Sequence, residues 1–98
     1  MARISYSHHA LQDLERLTDF LLETNPLAAM ETVELIREAV TILKRHPLLG
    51  HHIELNKREL IISRGRTGYV ALYSFEAEDD AVLILSVRHQ REVGYSQN

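Results

Sequence analysis

The stretch ELIISRGRTGYVALYSFEAEDDAVLILSVRH, residues 59–89, decides the fold. It contains three strand-length apolar runs, Glu59–Ser63, Tyr69–Phe75 and Ala81–His89. A glycine-rich turn at 64–68 and an acidic turn at 76–80 separate them, so the runs predict an antiparallel meander. The middle run is apolar at successive positions, which is typical of a central strand. A strand that is apolar on both faces needs cover on each face, so we expect a partner or the C-terminal tail to shield one of them.

Upstream of this stretch the apolar spacing is helical. Arg3–Tyr6 alternates and predicts a short first strand, and Ser7 is a suitable N-cap for a helix over 8–23. A second helix is expected from Asn25-Pro26 to about His46, where Pro47 stops it, and 47–58 is expected to be a loop. The order is therefore β-α-α-β-β-β, in an α+β fold with a helical hairpin packed on one face of a small antiparallel sheet. We expect one domain over residues 1–98, with 91–98 as a mobile C-terminal tail.

Composition excludes several classes of protein. The chain has 98 residues, 45% hydrophobic, with no cysteine, so disulfide and thiolate chemistry are excluded and a cytoplasmic protein is expected. No apolar run approaches the roughly 20 residues of a membrane helix, so no membrane association is expected. The net charge is −3, but residues 10–38 carry −5 and residues 57–66 carry +3. Overall acidity argues against sequence-specific DNA binding by the chain alone, whereas the basic segment suggests a localised binding surface.

The histidines do not predict a metal site, and no cofactor is expected. His8-His9 and His51-His52 are adjacent pairs, and neighbouring side chains point apart on helices and strands. What remains is a set of basic and aromatic residues on or beside the predicted sheet: Lys57, Arg58, Arg64, Arg66, Arg88, His89, Arg91 and Tyr95. Such a set could bind phosphate and transfer a proton, could grip an acidic protein surface, or could simply be solvated.

Several motifs resemble the RelE/ParE superfamily of bacterial toxins, in order and over residues 3–95. Ala10, Asp13 and Leu14 match its "Ala, two residues, Asp-Leu" opening. The other matching segments are Asn25–Ala29 at the turn between the helices, Leu43–Gly50 at the helix exit, Arg58–Leu60 on the first core strand and Val87–Glu92 at the end of the last strand. The resemblance implies a toxin of a type II toxin–antitoxin module, neutralised by a cognate antitoxin.

The superfamily has two branches with different targets. The RelE-like branch cleaves mRNA on the ribosome without a metal, and the ParE-like branch poisons DNA gyrase. RelE-like toxins place two lysines on the first core strand, where this chain has Lys57 and, reversed in charge, Glu59. Arg66, three residues before Tyr69, fits one arginine position of that branch, whereas Gln90 falls near the other. The match is therefore better to the ParE-like branch, and a gyrase inhibitor that is not itself an enzyme is expected.

Two alternatives stay open. One is a ribosome-dependent endoribonuclease with Lys57, Arg66, His89 and Tyr95 as its catalytic candidates, and the other is an inactive homologue that only binds antitoxin. For the favoured function, the expected antitoxin-binding residues are Tyr69, Tyr73 and Phe75. The expected target-binding residues are Arg58, Arg64, Arg66, Arg88, His89, Arg91 and Tyr95.

Overall fold

The computed structural model describes residues 1–64 and 67–90, and for Ser63, Arg64 and Thr67 it describes the backbone. Two helices pack on a five-stranded sheet, which confirms the predicted α+β class. The elements are β1 (Arg3–Tyr6), α1 (His8–Thr24), α2 (Pro26–Ile42), β2 (His51–Glu54), β3 (Lys57–Arg64), β4 (Thr67–Glu76) and β5 (Ala81–His89). The predicted tail, 91–98, lies outside the described residues.

The sheet is mixed and has the strand order β1-β5-β4-β3-β2. The meander β3-β4-β5 is antiparallel as predicted, with Leu60 opposite Ala71 and Ala71 opposite Val87. The expectation of a purely antiparallel sheet was wrong, because β1 pairs with β5 in parallel. The expectation of a loop over 47–58 was also wrong in part, since β2 forms there as a short edge strand paired with the start of β3.

Local capping sets the ends of the helices. The Ser7 hydroxyl accepts a hydrogen bond from the Ala10 N–H, and the Asn25 side chain accepts one from the Ala28 N–H. Pro26 occupies the start of α2, where a missing N–H has no consequence. α2 ends at Ile42, earlier than the predicted His46, because the chain tightens there: the Leu43 N–H bonds the Val40 carbonyl.

The core lies between the helices and one face of the sheet, which we call the helix face. Tyr69, Ala71 and Tyr73 alternate onto it from β4 and are buried. Leu60 and Ile62 of β3 reach the same layer. The rest of the buried cluster comes from the other strands and both helices: Ala2, Ala10, Leu17, Ile36, Val40, Leu43, Val82, Ile84 and Val87. The alternate side chains of the strands form the opposite face, which we call the open face and on which Ile61 and Leu83 are partly exposed.

Helix α1 takes over from β1 as the hydrogen-bond partner of β5. β1 ends at Tyr6, which lies opposite Ile84, and a bulge in β5 follows directly. Beyond that point the Ser7 hydroxyl donates to the Leu85 carbonyl, and the Asp13 carboxylate accepts the Val87 N–H at 2.9 Å. Asp13 therefore satisfies a backbone donor that would otherwise be buried without a partner, and it fixes α1 on the sheet.

Candidate functional site

The antiparallel meander sorts the candidate basic residues to two ends of the sheet. The end of β3, the start of β4 and the end of β5 meet at one end, which we call the basic end and which carries Arg64, Arg88 and His89. Lys57 and Arg58, at the start of β3, lie at the other end. Arg66, Arg91 and Tyr95 lie outside the described residues. The structure therefore brings together only part of the predicted set.

The faces of the sheet separate the same residues further. His89 lies opposite Tyr69 on the helix face, and the two rings meet edge to face with centroids 5.1 Å apart. Lys57 lies opposite Ser74 on the open face. Ser74 and Tyr69 are five residues apart on β4, which is about 17 Å of strand. Lys57 and His89 are thus at opposite ends and on opposite faces.

A carboxylate occupies the middle of the open face. The Glu59 side chain is mostly buried, with one oxygen 3.4 Å from His51 Nε2 and the other 4.0 Å from a guanidinium nitrogen of Arg88. Arg88 is mostly buried too, so its guanidinium charge faces Glu59 within the protein and not the solvent. A fixed carboxylate here weakens the affinity of the open face for phosphate, because like charges repel.

Arg58 has a structural role that the sequence did not reveal. Its guanidinium donates to the Gly50 carbonyl at 2.8 Å and the Leu48 carbonyl at 3.3 Å, and so binds the backbone of the loop after α2. Tyr73, on the helix face of β4, binds the same loop. Its hydroxyl donates to the Pro47 carbonyl at 2.7 Å and accepts a hydrogen bond from the Gly50 N–H at 2.9 Å. Both hydrogen bonds of Arg58 come from Nη1, so Arg58 helps to hold this loop, and its expected contact with the target stays a prediction.

The buried environment of the tyrosines affects their ionisation. Burial raises the pKa of the Tyr73 phenol, although the hydrogen bond from Gly50 and the charge of Arg58 act in the opposite direction. Burial also raises the pKa of Tyr6, which the charge of Arg37 partly offsets. Both phenols therefore stay protonated through the neutral range and beyond it.

The expected antitoxin-binding tyrosines turn out to be core residues. Tyr69 and Tyr73 are buried beneath the helices, which leaves them no surface for a partner to contact. The interpretation of β4 as uncovered was wrong for these two side chains, because the helix hairpin and the loop after α2 cover them. Phe75 is partly buried and borders a groove beside that loop.

Two features are absent from the described part of the chain: a metal-binding cluster and a membrane-spanning helix. Across residues 1–64 and 67–90, no group of three or more His, Asp or Glu side chains is placed to hold a metal ion. Neither α1 nor α2 is both long and apolar enough to cross a membrane.

With this geometry in hand, comparison with known proteins identifies the family. A family model described as the ParE toxin of the type II toxin–antitoxin system parDE matches residues 4–94. The chain belongs to the ParE toxin family. This ParE-family chain is also 36% identical over 92 residues to Toxin RelE3 of Caulobacter vibrioides, covering 94% of this chain and 98% of that protein.

Solved structures of toxin–antitoxin systems share the fold of this ParE-family toxin. The chromosomal ParDE system of P. aeruginosa matches with a TM-score of 0.73 at 22% identity, covering 91% of this chain and 96% of that one. The RelBE2 complex of Mycobacterium tuberculosis matches with a TM-score of 0.62 at 26% identity, covering 93% of each chain. The intact E. coli RelBE complex matches with a TM-score of 0.65 at 12% identity, covering 94% of this chain and 100% of that one. The predicted superfamily, and a toxin of a type II system, are thereby confirmed.

Proposed function

We propose that this toxin inhibits DNA gyrase by binding to it, without catalysing a reaction, and that a cognate antitoxin neutralises it. Membership of the ParE family supports the choice of target, because the resemblance of the sequence to the ParE-like branch implies gyrase. The solved relatives are toxin–antitoxin assemblies, which supports the antitoxin. We place the protein in the cytoplasm, where both partners would be met.

The observation that carries the proposal is the separation of Lys57 from His89. Cleavage of a phosphodiester requires a proton-transfer group and a positive charge that converge on one phosphate. About 17 Å of strand and the thickness of the sheet lie between these two candidates. Glu59, beside Lys57 in sequence, adds a negative charge to the open face. The described residues therefore favour a binding surface over a ribonuclease site.

We propose the basic end as the surface that contacts the target. Arg64 lies there by strand register, and in the sequence Arg66 and Arg91 stand two residues from Arg64 and His89. Arg88 and His89 lie at the same end, but they contact Glu59 and Tyr69 within the protein, so we assign the contact with the target to the other arginines. Positive charge grouped at one end of an acidic protein suits an acidic protein surface and accelerates encounter with it. Tyr95 remains a proposed anchor of this surface, since tyrosine is a frequent hot-spot residue.

The antitoxin is proposed to cover apolar side chains that the described structure leaves exposed on the helices. Leu11, Phe20, Leu27 and Met30 are all exposed large hydrophobic residues. A disordered antitoxin segment that folds as it binds would bury such side chains. Co-expression with the cognate antitoxin should yield a stable complex in which these residues become protected from solvent.

Variants at the two sets of residues test the choice of target. Lys57→Ala and His89→Gln should leave growth arrest by the induced toxin unchanged, whereas Arg64→Glu at the basic end should relieve it. Arg3→Glu, an exposed charge reversal on β1, is the matched control and should have no effect. A ribonuclease would instead lose about 10²-fold or more of its rate in His89→Gln. Codon-phased mRNA cleavage that disappears in that variant would contradict the proposal, and a wild-type protein that causes no arrest would indicate an inactive homologue.

A further inference from the structure

The loop between α2 and β2 is held rigidly while it presents apolar side chains to solvent. Tyr73 and Arg58 together make four hydrogen bonds to the backbone of 47–50, and a turn bond joins the Leu49 N–H to the His46 carbonyl. Yet Leu48 and Leu49 are 58% and 55% exposed. A buried tyrosine and an arginine thus fix a loop whose two largest side chains are left uncovered.

Gly50 shows how closely this loop lies against the sheet. A Cβ at this position would stand 2.6 Å from the Glu59 carbonyl oxygen and 2.8 Å from the Tyr73 ring, so only glycine fits. The loop backbone therefore has little room to move, and the leucines keep their outward position. Ordering such side chains before a partner arrives lowers the entropic cost of binding, which is a feature of preformed binding sites.

Beside the leucines runs an open groove of about 570 Å³, lined by Arg45, His46, Pro47, Leu48, Leu49 and Phe75. Its floor and walls are mainly apolar, and its charged members are basic. Arg45 and His46 are exposed, and none of the ion pairs between described residues engages them. In the acidic turn after Phe75, Asp80 instead lies 3.7 Å from the Met1 amino group.

We infer that this groove, which we call the loop groove, is a docking site for an acidic protein segment with apolar anchors. Leu48, Leu49 and Phe75 would receive the apolar side chains of the segment. Arg45 would attract the carboxylates that flank them, because no ion pair between described residues neutralises its charge, and His46 adds a polar ring beside it. Strand addition to β2 explains the site less well, since β2 has four residues and a register shift between His52 and Glu54.

The site is separate from both surfaces proposed above. The loop groove opens beside Phe75, which lies opposite Val82 near the end of β4. Tyr69 and the basic end lie at the start of that strand. Its lining contains none of the exposed apolar residues of α1 or of the first turns of α2. Binding of a segment at the loop groove is therefore independent of the proposed binding of gyrase at the basic end.

A labelled synthetic peptide tests the inference directly. The probe is fluorescein-labelled Glu-Glu-Leu-Phe-Glu-Leu-Glu, and the comparison peptide has Lys in place of every Glu. Anisotropy titrations of the purified toxin should show saturable binding of the acidic peptide and not of the basic one. The double variant Leu48→Ser/Leu49→Ser should weaken that binding by about tenfold or more, because burial of a leucine is worth at least that factor. Arg45→Glu should shift the preference toward the basic peptide.

A matched control separates this surface from general stickiness. Ile61→Ser/Leu83→Ser removes two residues of the open face that are 49% and 37% exposed and do not line the loop groove, and it should leave peptide binding unchanged. Equal binding of both peptides, no saturable binding, or full binding by the Leu48→Ser/Leu49→Ser variant would overturn the inference. So would a wild-type dimer in sedimentation that this variant dissociates, because a second copy of the chain would then be the occupant.

Discussion

Replacement of Asp13 should lower the free energy of unfolding, because Asp13 joins helix α1 to strand β5. Its carboxylate accepts the Val87 N–H at 2.9 Å, where both groups are buried at the junction of α1 and β5. The same carboxylate lies 3.6 Å from Arg16 and 3.3 Å from His9. Replacing Asp13 by Ala removes all three interactions, whereas Asn keeps an acceptor for Val87 and removes only the charge.

The structure indicates which of these interactions dominates. A buried N–H left without an acceptor destabilises a protein by about 1–3 kcal/mol. Arg16 and His9 are largely exposed, so each ion pair contributes only about 0–1 kcal/mol. Asp13→Ala should therefore lower the free energy of unfolding by about 1–3 kcal/mol, which is about 5–20 °C in Tm for a domain of this size. Asp13→Asn should lose a minor part of that.

Urea denaturation followed by circular dichroism, with thermal melts alongside, measures both variants. Asp19 is an exposed carboxylate on the same helix, so Asp19→Ala is the control, and its free energy of unfolding should stay within about 0.5 kcal/mol of wild type. If Asp13→Asn were as unstable as Asp13→Ala, the charge rather than the acceptor would be what α1 needs, and the reasoning would be refuted.

Three other predictions concern the loop after α2. Tyr73→Phe should destabilise the fold by about 1–3 kcal/mol in urea, because Gly50 N–H and Pro47 carbonyl both lose a buried partner; stability equal to wild type would contradict this. Gly50→Ala should be clearly more destabilising in the same assay than Gly68→Ala, since the new methyl meets backbone at Gly50 but a movable Gln90 side chain at Gly68; the reverse order would argue against a tightly seated loop. Stability should fall as pH rises above about 10, because folding raises the pKa of Tyr73 and Tyr6 and the native state then holds protons that the unfolded chain releases. Tyr73→Phe should flatten that alkaline decline in pH-dependent urea titrations, and an unchanged slope would show that Tyr73 does not contribute.

Most of the fold could be predicted from the sequence because apolar spacing, helix caps and turn residues act locally along the chain. The strand-length apolar runs of β4 and β5, the N-caps Ser7 and Asn25, and Pro26 each act through near neighbours in the chain. The parallel pairing of β1 with β5 was missed because strand direction depends on contacts some 78 residues apart in sequence. β2 was missed because its four exposed residues have no apolar face to reveal it.

The site was less readable than the fold for a related reason. An arginine in sequence looks the same whether it serves a partner or the chain's own carbonyl groups, as Arg58 shows. Tyr69 and Tyr73 were assigned to a partner because two-sided apolarity does not say which face the helices cover. One signal was present: Pro47 and Gly50 marked a tight loop, which called for a fixed polar partner such as Tyr73.

A supercoiling assay with purified gyrase and purified toxin tests whether this toxin acts on gyrase. The toxin should inhibit supercoiling in proportion to its concentration, and Lys57→Ala and His89→Gln should inhibit equally well. Prior addition of the cognate antitoxin should abolish inhibition. Ribosome-bound mRNA treated with the same preparation should stay intact. Unimpaired gyrase together with cleaved mRNA would show that the protein is a ribonuclease and not a gyrase inhibitor.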